Sequence, residues 1–173
     1  PASPRKPRQP PPLADRLGPA NAPAYGRLAA QLHAHAVGFL PPGNPPLPHY
    51  DRLFPFDQPE VLLAAEPGPL LPVERRQVFR QAADRVEGAI ASLRVREPMR
   101  LLHGDLHVWN VLEHRGRLMA IDFEDLMWGW PIQDIATAFY YLQHRPDFAA
   151  LVDGFRGGYE EAAPWPEGEP GEL

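Results

Sequence analysis

Apolar residues recur along the chain at helical and strand-like spacings, and these divide it into helices, a short β element and proline-rich connections. Over Tyr25–Val37, Leu28, Leu32 and Ala36 return at every fourth position, which predicts a helix burying those side chains on one face. Phe79, Ala82, Val86, Ile90 and Leu93 repeat the pattern over a longer stretch, with Arg and Glu on the other side. Pro72 suits the first position of this second helix, which reads as a structural core helix. Met99–His103 then reads as a short apolar strand. Asn110–Glu113 and Arg117–Asp122 flank His-Arg-Gly-Arg, where Gly116 supports a turn, so they read as a hairpin. Pro131–Leu142 returns to helix, with Ile135, Ala138, Phe139 and Leu142 as its buried stripe. Asp147–Glu161 is a further helix, weakened by Gly154, Gly157 and Gly158.

The stretches between lose both periodicities. Pro1–Pro23 reads as a solvated arm, Gly38–Pro59 as a long proline- and aromatic-containing loop, and Pro164–Leu173 as a frayed acidic tail. The implied division is an arm over 1–23, one folded lobe over 24–163 and a tail over 164–173. The order of helices, hairpin and helices predicts a mostly α domain with a small β-hairpin.

Composition narrows the function classes. The 173 residues suffice for one hydrophobic core, and 44% hydrophobic with 23% charged residues is ordinary for a globular chain. Cysteine is absent, which excludes disulfides, thiolate zinc sites and cysteine nucleophiles and fits a cytoplasmic protein. A net charge of −5 argues against a nucleic-acid partner. No apolar run approaches a membrane span, and the N-terminus has no signal-peptide pattern. Lys6 is the only lysine, and it lies in the proline-rich arm.

The candidate chemistry sits in three segments, Leu101–Leu112, Met119–Asp125 and Gly129–Phe139. Asp105 and Asn110 share one loop between the strand and the hairpin, and Asp122 ends the returning hairpin strand. A tight hairpin can set Asn110 beside Asp122 at matching ends of its strands. An amide oxygen and a carboxylate form a hard oxygen site suited to Mg²⁺, which keeps waters and takes further ligands from phosphates. Asp105 is then a separate carboxylate, placed to orient or deprotonate a hydroxyl. Phosphoryl transfer needs this division of labour.

The run His-Gly-Asp-Leu-His-Val-Trp-Asn-Val-Leu, followed by Ile-Asp-Phe-Glu-Asp, resembles the aminoglycoside phosphotransferase and choline kinase superfamily, a branch of the protein-kinase-like fold. Trp-Gly-Trp-Pro-Ile-Gln-Asp-Ile-Ala is most similar to the branch of the bacterial stress-response Ser/Thr kinase A. Gly26–Ala36 is similar to the helix that opens that family's C-terminal lobe. The resemblance implies Asp105 as catalytic base, with Asn110 and Asp122 as Mg²⁺ ligands. It also implies Leu112 and Ile121 as the floor under the adenine of ATP, and His103 and Asp134 as braces of the catalytic loop. His107, Glu124 and Asp125 become contacts to acceptor or metal. Val108-Trp109 stand where the family pattern often has Pro-Gly.

The same resemblance implies a C-terminal lobe with the N-terminal β lobe absent from the chain. No glycine-rich loop is present, and neither is a strand lysine with its acidic partner. The chain is therefore expected to begin just after the nucleotide hinge, as a fragment, a truncated or split gene, or a natural one-lobed protein. A separately encoded N-terminal lobe is then an expected partner. The expected activity is ATP-dependent transfer to a hydroxyl on a small molecule, an aminoglycoside-like compound or a protein Ser/Thr, weak or absent in this chain alone. The alternatives are a non-catalytic remnant or binding module and, remotely, a zinc hydrolase using His103, Asp105 and His107 with His33 and His35 upstream. Trp109, Trp128 and Trp130 read as packing around the metal loop, with an acceptor-stacking role as the second option.

Overall fold

The computed structural model describes residues 10–56 and 72–166. Four helices, α1 (Ala22–His35), α2 (Val73–Arg96), α3 (Pro131–Tyr140) and α4 (Phe148–Glu160), account for most of its regular structure. The β content is four short strands, β1 (Arg100–Leu102), β2 (Val111–His114), β3 (Arg117–Ala120) and β4 (Met127–Gly129). β2 and β3 form the expected hairpin. Its two-residue turn places Arg115 at φ 52° and Gly116 at φ 73°, the doubly left-handed geometry that matches strand twist. A second antiparallel ribbon, β1 with β4, was not visible in the hydrophobic pattern because each strand is only three residues long. The Pro48–Tyr50 segment extends it, with Trp128 N–H donating to Pro48 O and Tyr50 N–H to Trp128 O.

The core lies between α1, α4 and α3, and small residues let the helices approach. A Cβ on Gly26 would collide with the Phe155 carbonyl, and one on Gly158 with the Pro23 backbone. Both positions require glycine, so Gly158 is a packing requirement where helix propensity alone sees only a weakness. Tyr25 meets Phe155 edge-on at 5.0 Å in the same interface. The buried face of α1 is Tyr25, Gly26, Ala29, Ala30 and His33, and of the expected Leu28–Leu32–Ala36 stripe only Ala36, just past the helix, is buried. Leu28 and Leu32 are only partly buried at the margin of that core.

The start of the described chain departs from a solvated arm. Leu13 and Leu17 are buried in the core, Leu13 within a single 3-10 turn (Leu13–Asp15). Pro12 bridges Leu112 of β2, with Glu113 N–H donating to Pro11 O. Residues 1–9, including Lys6, and the tail beyond 166 lie outside the described residues, as does part of the 38–59 loop.

The second helix is also corrected. Phe79, Ala82 and Val86 are exposed, Ile90 is half-buried, and only Leu93 of the expected stripe is buried. Leu93 packs on Trp130 and Ile132, so α2 joins the described core through its C-terminal end. Of that stripe, Val86, Ile90 and Leu93 line an open cavity. No helix among the described residues is long and apolar enough to cross a membrane.

Candidate functional site

β1 runs straight into the loop His103–Asn110, whose entry is set by Gly104 at φ 83°. A Cβ at Gly104 would meet the Asp125 carbonyl, so glycine is needed for both angle and space. Asp134, on the first turn of α3 and 1% exposed, holds this entry. Its Oδ2 accepts the His103 N–H at 3.0 Å and its Oδ1 the Gly104 N–H at 2.9 Å. α3 is positioned in turn by Gln133, whose Oε1 accepts the Trp130 N–H at 2.8 Å while its Nε2 donates to Tyr50 O at 2.7 Å.

Behind Asp134 lies a buried relay that the motifs did not announce. His33 Nε2 is 3.2 Å from Asp134 Oδ2, and His33 Nδ1 is 2.9 Å from the Tyr159 hydroxyl. A neutral imidazole protonated on Nε2 satisfies both contacts, donating to Asp134 and accepting from Tyr159. Burial pushes the Tyr159 phenol above its ordinary range, with Arg100 opposing, which keeps the hydroxyl proton available. Tyr25 adds a second internal anchor by donating to Leu106 O inside the loop. Burial first, then the charges of Asp134 and Asp105, hold the Tyr25 phenol well above its usual value. The signal for His33 lay in the sequence, since it falls on one helical face with Tyr25 and Ala29.

Asp105 is partly exposed and held from two sides. Its Oδ2 accepts Asn110 Nδ2 at 2.9 Å and lies 3.3 Å from His107 Nε2. Asn110 Nδ2 also donates to Asp105 O at 3.0 Å, which fixes the amide orientation and leaves Asn110 Oδ1 as an acceptor. His107 Nδ1 accepts the Asn110 N–H at 3.3 Å, so its proton belongs on Nε2, facing Asp105. Asp105 Oδ1 carries no hydrogen bond among the described residues. His103 serves the loop differently, with Nε2 donating to Ile121 O at 3.0 Å and Nδ1 accepting the Asp105 N–H at 3.3 Å. Its ring lies against Phe123 at 4.7 Å.

The hairpin brings the other candidates near, with a one-residue difference from expectation. Ile121 stands opposite Asn110, its N–H donating to Asn110 O at 2.9 Å, and Asp122 follows one position later. Asp122 adopts φ 64°, which ends the strand's alternation. It is exposed and has no side-chain partner among the described residues, and the same holds for Glu124 and Asp125. Leu112 pairs with Met119, so by register Asn110, Leu112, Met119 and Ile121 share one hairpin face. Met119 and Ile121 leave that face open and apolar, at 46% and 36% exposure. Met119 is a member the motifs missed, though the register predicts it once the turn is located.

The donor chemistry bears on a metal. No group of three or more His, Asp or Glu side chains able to hold an ion occurs among the described residues. His33 and His103 are engaged with Asp134, Tyr159 and Ile121, and His35 is exposed. Asn110 keeps a free amide-oxygen acceptor and Asp122, one position beyond the residue opposite Asn110, an exposed carboxylate; both are oxygen donors, the ligand type of a cation that completes its shell from water and phosphate.

A cavity of about 600 Å³ opens at Gly104 and Asp105, between α2, α3 and the loop at Tyr50–Leu53. Beside it, Trp109, Tyr140 and Tyr141 form an exposed aromatic cluster, with Trp109 and Tyr141 5.6 Å apart and His107 4.9 Å from Tyr141. Trp130 is buried, its Nε1 donating to Glu97 O, whereas Val108 takes the buried place in the loop and exposes Trp109.

Residues 3–170 match the phosphotransferase enzyme family. Among solved structures the chain is similar to the amicoumacin kinase hAmiN, determined in complex with AMP-PNP, Ca²⁺ and Ami. The TM-score is 0.66 at 20% identity, covering 94% of this chain and 48% of that one. It is also similar to the microcompartment-associated aminopropanol kinase, with TM-score 0.59 and 20% identity, covering 87% of this chain and 48% of that one. At this identity the likeness shows a shared fold, and the chain spans about half the length of each protein. No curated protein matches the chain.

Proposed function

Because the chain belongs to the phosphotransferase enzyme family, we propose that it is the C-terminal lobe of a kinase transferring the terminal phosphoryl group of ATP to a hydroxyl on a small molecule. The observation that carries this reading is the placement of Asp105. Its Oδ2 is occupied by Asn110 and His107, and the residue lines the cavity, which leaves Oδ1 to receive an acceptor hydroxyl. In that role Asp105 orients the hydroxyl and takes its proton as the oxygen attacks. His107 and Asn110 fix the carboxylate's rotamer, and Asp134 with His103 fixes the backbone beneath it.

Asn110 Oδ1 and Asp122 would hold Mg²⁺, and Leu112, Met119 and Ile121 would lie under the adenine. A bound divalent ion supplies neutralisation of the charge spreading over the transferred group. Glu124 and Asp125, exposed and unpaired among the described residues, would add negative potential near that cation. The glycine-rich loop and phosphate-binding lysine of the complete enzyme would come from a second lobe, joined to this one or separately encoded. A cytoplasmic location suits a consumer of ATP.

The test compares this chain, and the chain joined to its upstream coding sequence, for Mg²⁺-dependent phosphorylation of an alcohol panel. The joined protein should be active, and Asp105→Ala should lower kcat by about 10²–10⁴-fold. Asp122→Ala should raise the Mg²⁺ requirement. Undiminished turnover in either variant would overturn the assignments, and inactivity of every form would favour a non-catalytic binding module.

A further inference from the structure

His107 is held between two exposed aromatic rings. Trp109 follows it by two positions in the same loop, and Tyr141 caps the end of α3 at the rim of the cavity beside Asp105. Ring centroids stand 5.4 Å apart for His107 and Trp109, 4.9 Å for His107 and Tyr141, and 5.6 Å for Trp109 and Tyr141. The planes are close to mutually perpendicular, at 86°, 82° and 82°, the edge-to-face geometry that aromatic quadrupoles prefer. The outer rings are 50% and 46% exposed, whereas the His107 side chain is 15% exposed. The pair therefore shields the imidazole, and turning that ring about its Cβ–Cγ bond disturbs both edge-to-face contacts at once.

Resting on the reading of Asp105 as the hydroxyl-orienting carboxylate, we propose that Trp109 and Tyr141 are positioning residues that act through His107. They keep the imidazole where Nε2 lies 3.3 Å from Asp105 Oδ2 and Nδ1 accepts the Asn110 N–H. Asn110 Nδ2 is the other side-chain contact on Oδ2, and one tether leaves a carboxylate free to swing. The second, from a clamped ring, fixes which oxygen faces the acceptor. An imidazole turned by half a revolution would face Asp105 with carbon in place of the N–H. The two outer rings also keep water from competing for the contact.

The test follows the His107 Nε2–H proton by NMR on the full chain without nucleotide. The His103 Nε2–H, donated to Ile121 O, is the internal reference. Trp109→Leu and Tyr141→Leu each remove a ring, and each should speed solvent exchange at His107 by at least roughly tenfold relative to His103. Trp109→Phe and Tyr141→Phe keep an aromatic edge and should restore slow exchange. In the joined protein each leucine variant should lower kcat by about tenfold, with no further loss once His107→Leu is present. Equal acceleration at both histidines marks a general loosening of the loop and overturns the proposal. Unchanged exchange at His107 or additive losses with His107→Leu also overturn it. So does a wild-type chain whose His107 proton exchanges freely or whose imidazole shows no NOE to either ring, a result that needs no variant to fold. Exchange is read without turnover, so an inactive joined protein with a clamped His107 counts against the proposed activity and not against the clamp.

Discussion

His33 Nε2 stands 3.2 Å from Asp134 Oδ2, with both side chains 1% exposed. This contact ties the middle of α1 to the first turn of α3, and through Asp134 to the backbone that carries Asp105. Removing the carboxylate strands two backbone N–H groups and one imidazole in the interior. Asp134→Ala is expected to destabilise the fold by about 3–5 kcal/mol, and His33→Ala by about 1–3 kcal/mol. Urea unfolding measures both, and amide exchange at His103 and Gly104 should accelerate in each.

Tyr25 and Tyr159 set an alkaline limit. Both phenols are raised above 10 in the folded protein, chiefly by burial. Above pH about 10 the unfolded chain releases these protons and the folded one keeps them, so their stabilising contribution is complete below that pH and declines above it. Each contributes a slope of about −1.4 kcal/mol per pH unit there. Tyr25→Phe should remove one such slope while losing about 1 kcal/mol at neutral pH through the Leu106 hydrogen bond. Unfolding titrations at pH 8 and 11 check both effects.

Neighbouring glycines of α4 should respond in opposite directions. Gly158→Ala drives a methyl into the Pro23 backbone and is expected to destabilise by about 2 kcal/mol or more. Gly157→Ala meets nothing within 4 Å and should stabilise the helix by about 0.5–1 kcal/mol. Thermal unfolding of the two variants decides it, and equal effects would remove close packing as the explanation.

Asp122 holds a left-handed conformation that glycine adopts freely. Asp122→Gly should therefore raise stability by about 0.5–1 kcal/mol while weakening Mg²⁺ binding in the nucleotide-competent protein. Unfolding free energy and a Mg²⁺ titration of that protein are the paired measurements. Gain in both would argue against a role for this carboxylate.

What the chain disclosed depended on the range of the interaction. α3, α4 and the β2–β3 hairpin are written in local periodicity and one turn, so their positions agree with the pattern. The buried face of α1 departs from the local pattern because close helix contact selects Gly26, Ala29 and Ala30 over the larger Leu28 and Leu32, a choice set by a partner far along the chain. α2 shows the limit of the same rule: Val86 and Ile90 of its apolar stripe border a cavity instead of packing into the core. For the site, Asp105 and Asn110 could be paired from one loop, and the structure brings them into contact. The His33–Tyr159 relay joins residues 126 positions apart, so the helical face shared by Tyr25, Ala29 and His33 signals burial and not the partner. The offset at Asp122 comes from its positive φ, a backbone property the residue type leaves open.

The attachment of α2 through Leu93, Trp130 and Ile132 separates two kinds of evolutionary change. Substitutions at Val86 or Ala89 alter the wall of the cavity without passing through the α1–α4 core or the buried Asp134 network. Selection can then retune what the cleft admits at little expense in folding, while the loop that carries Asp105 stays as it is. A helix so placed acts as an interchangeable jaw, and the rest of the lobe as the fixed one.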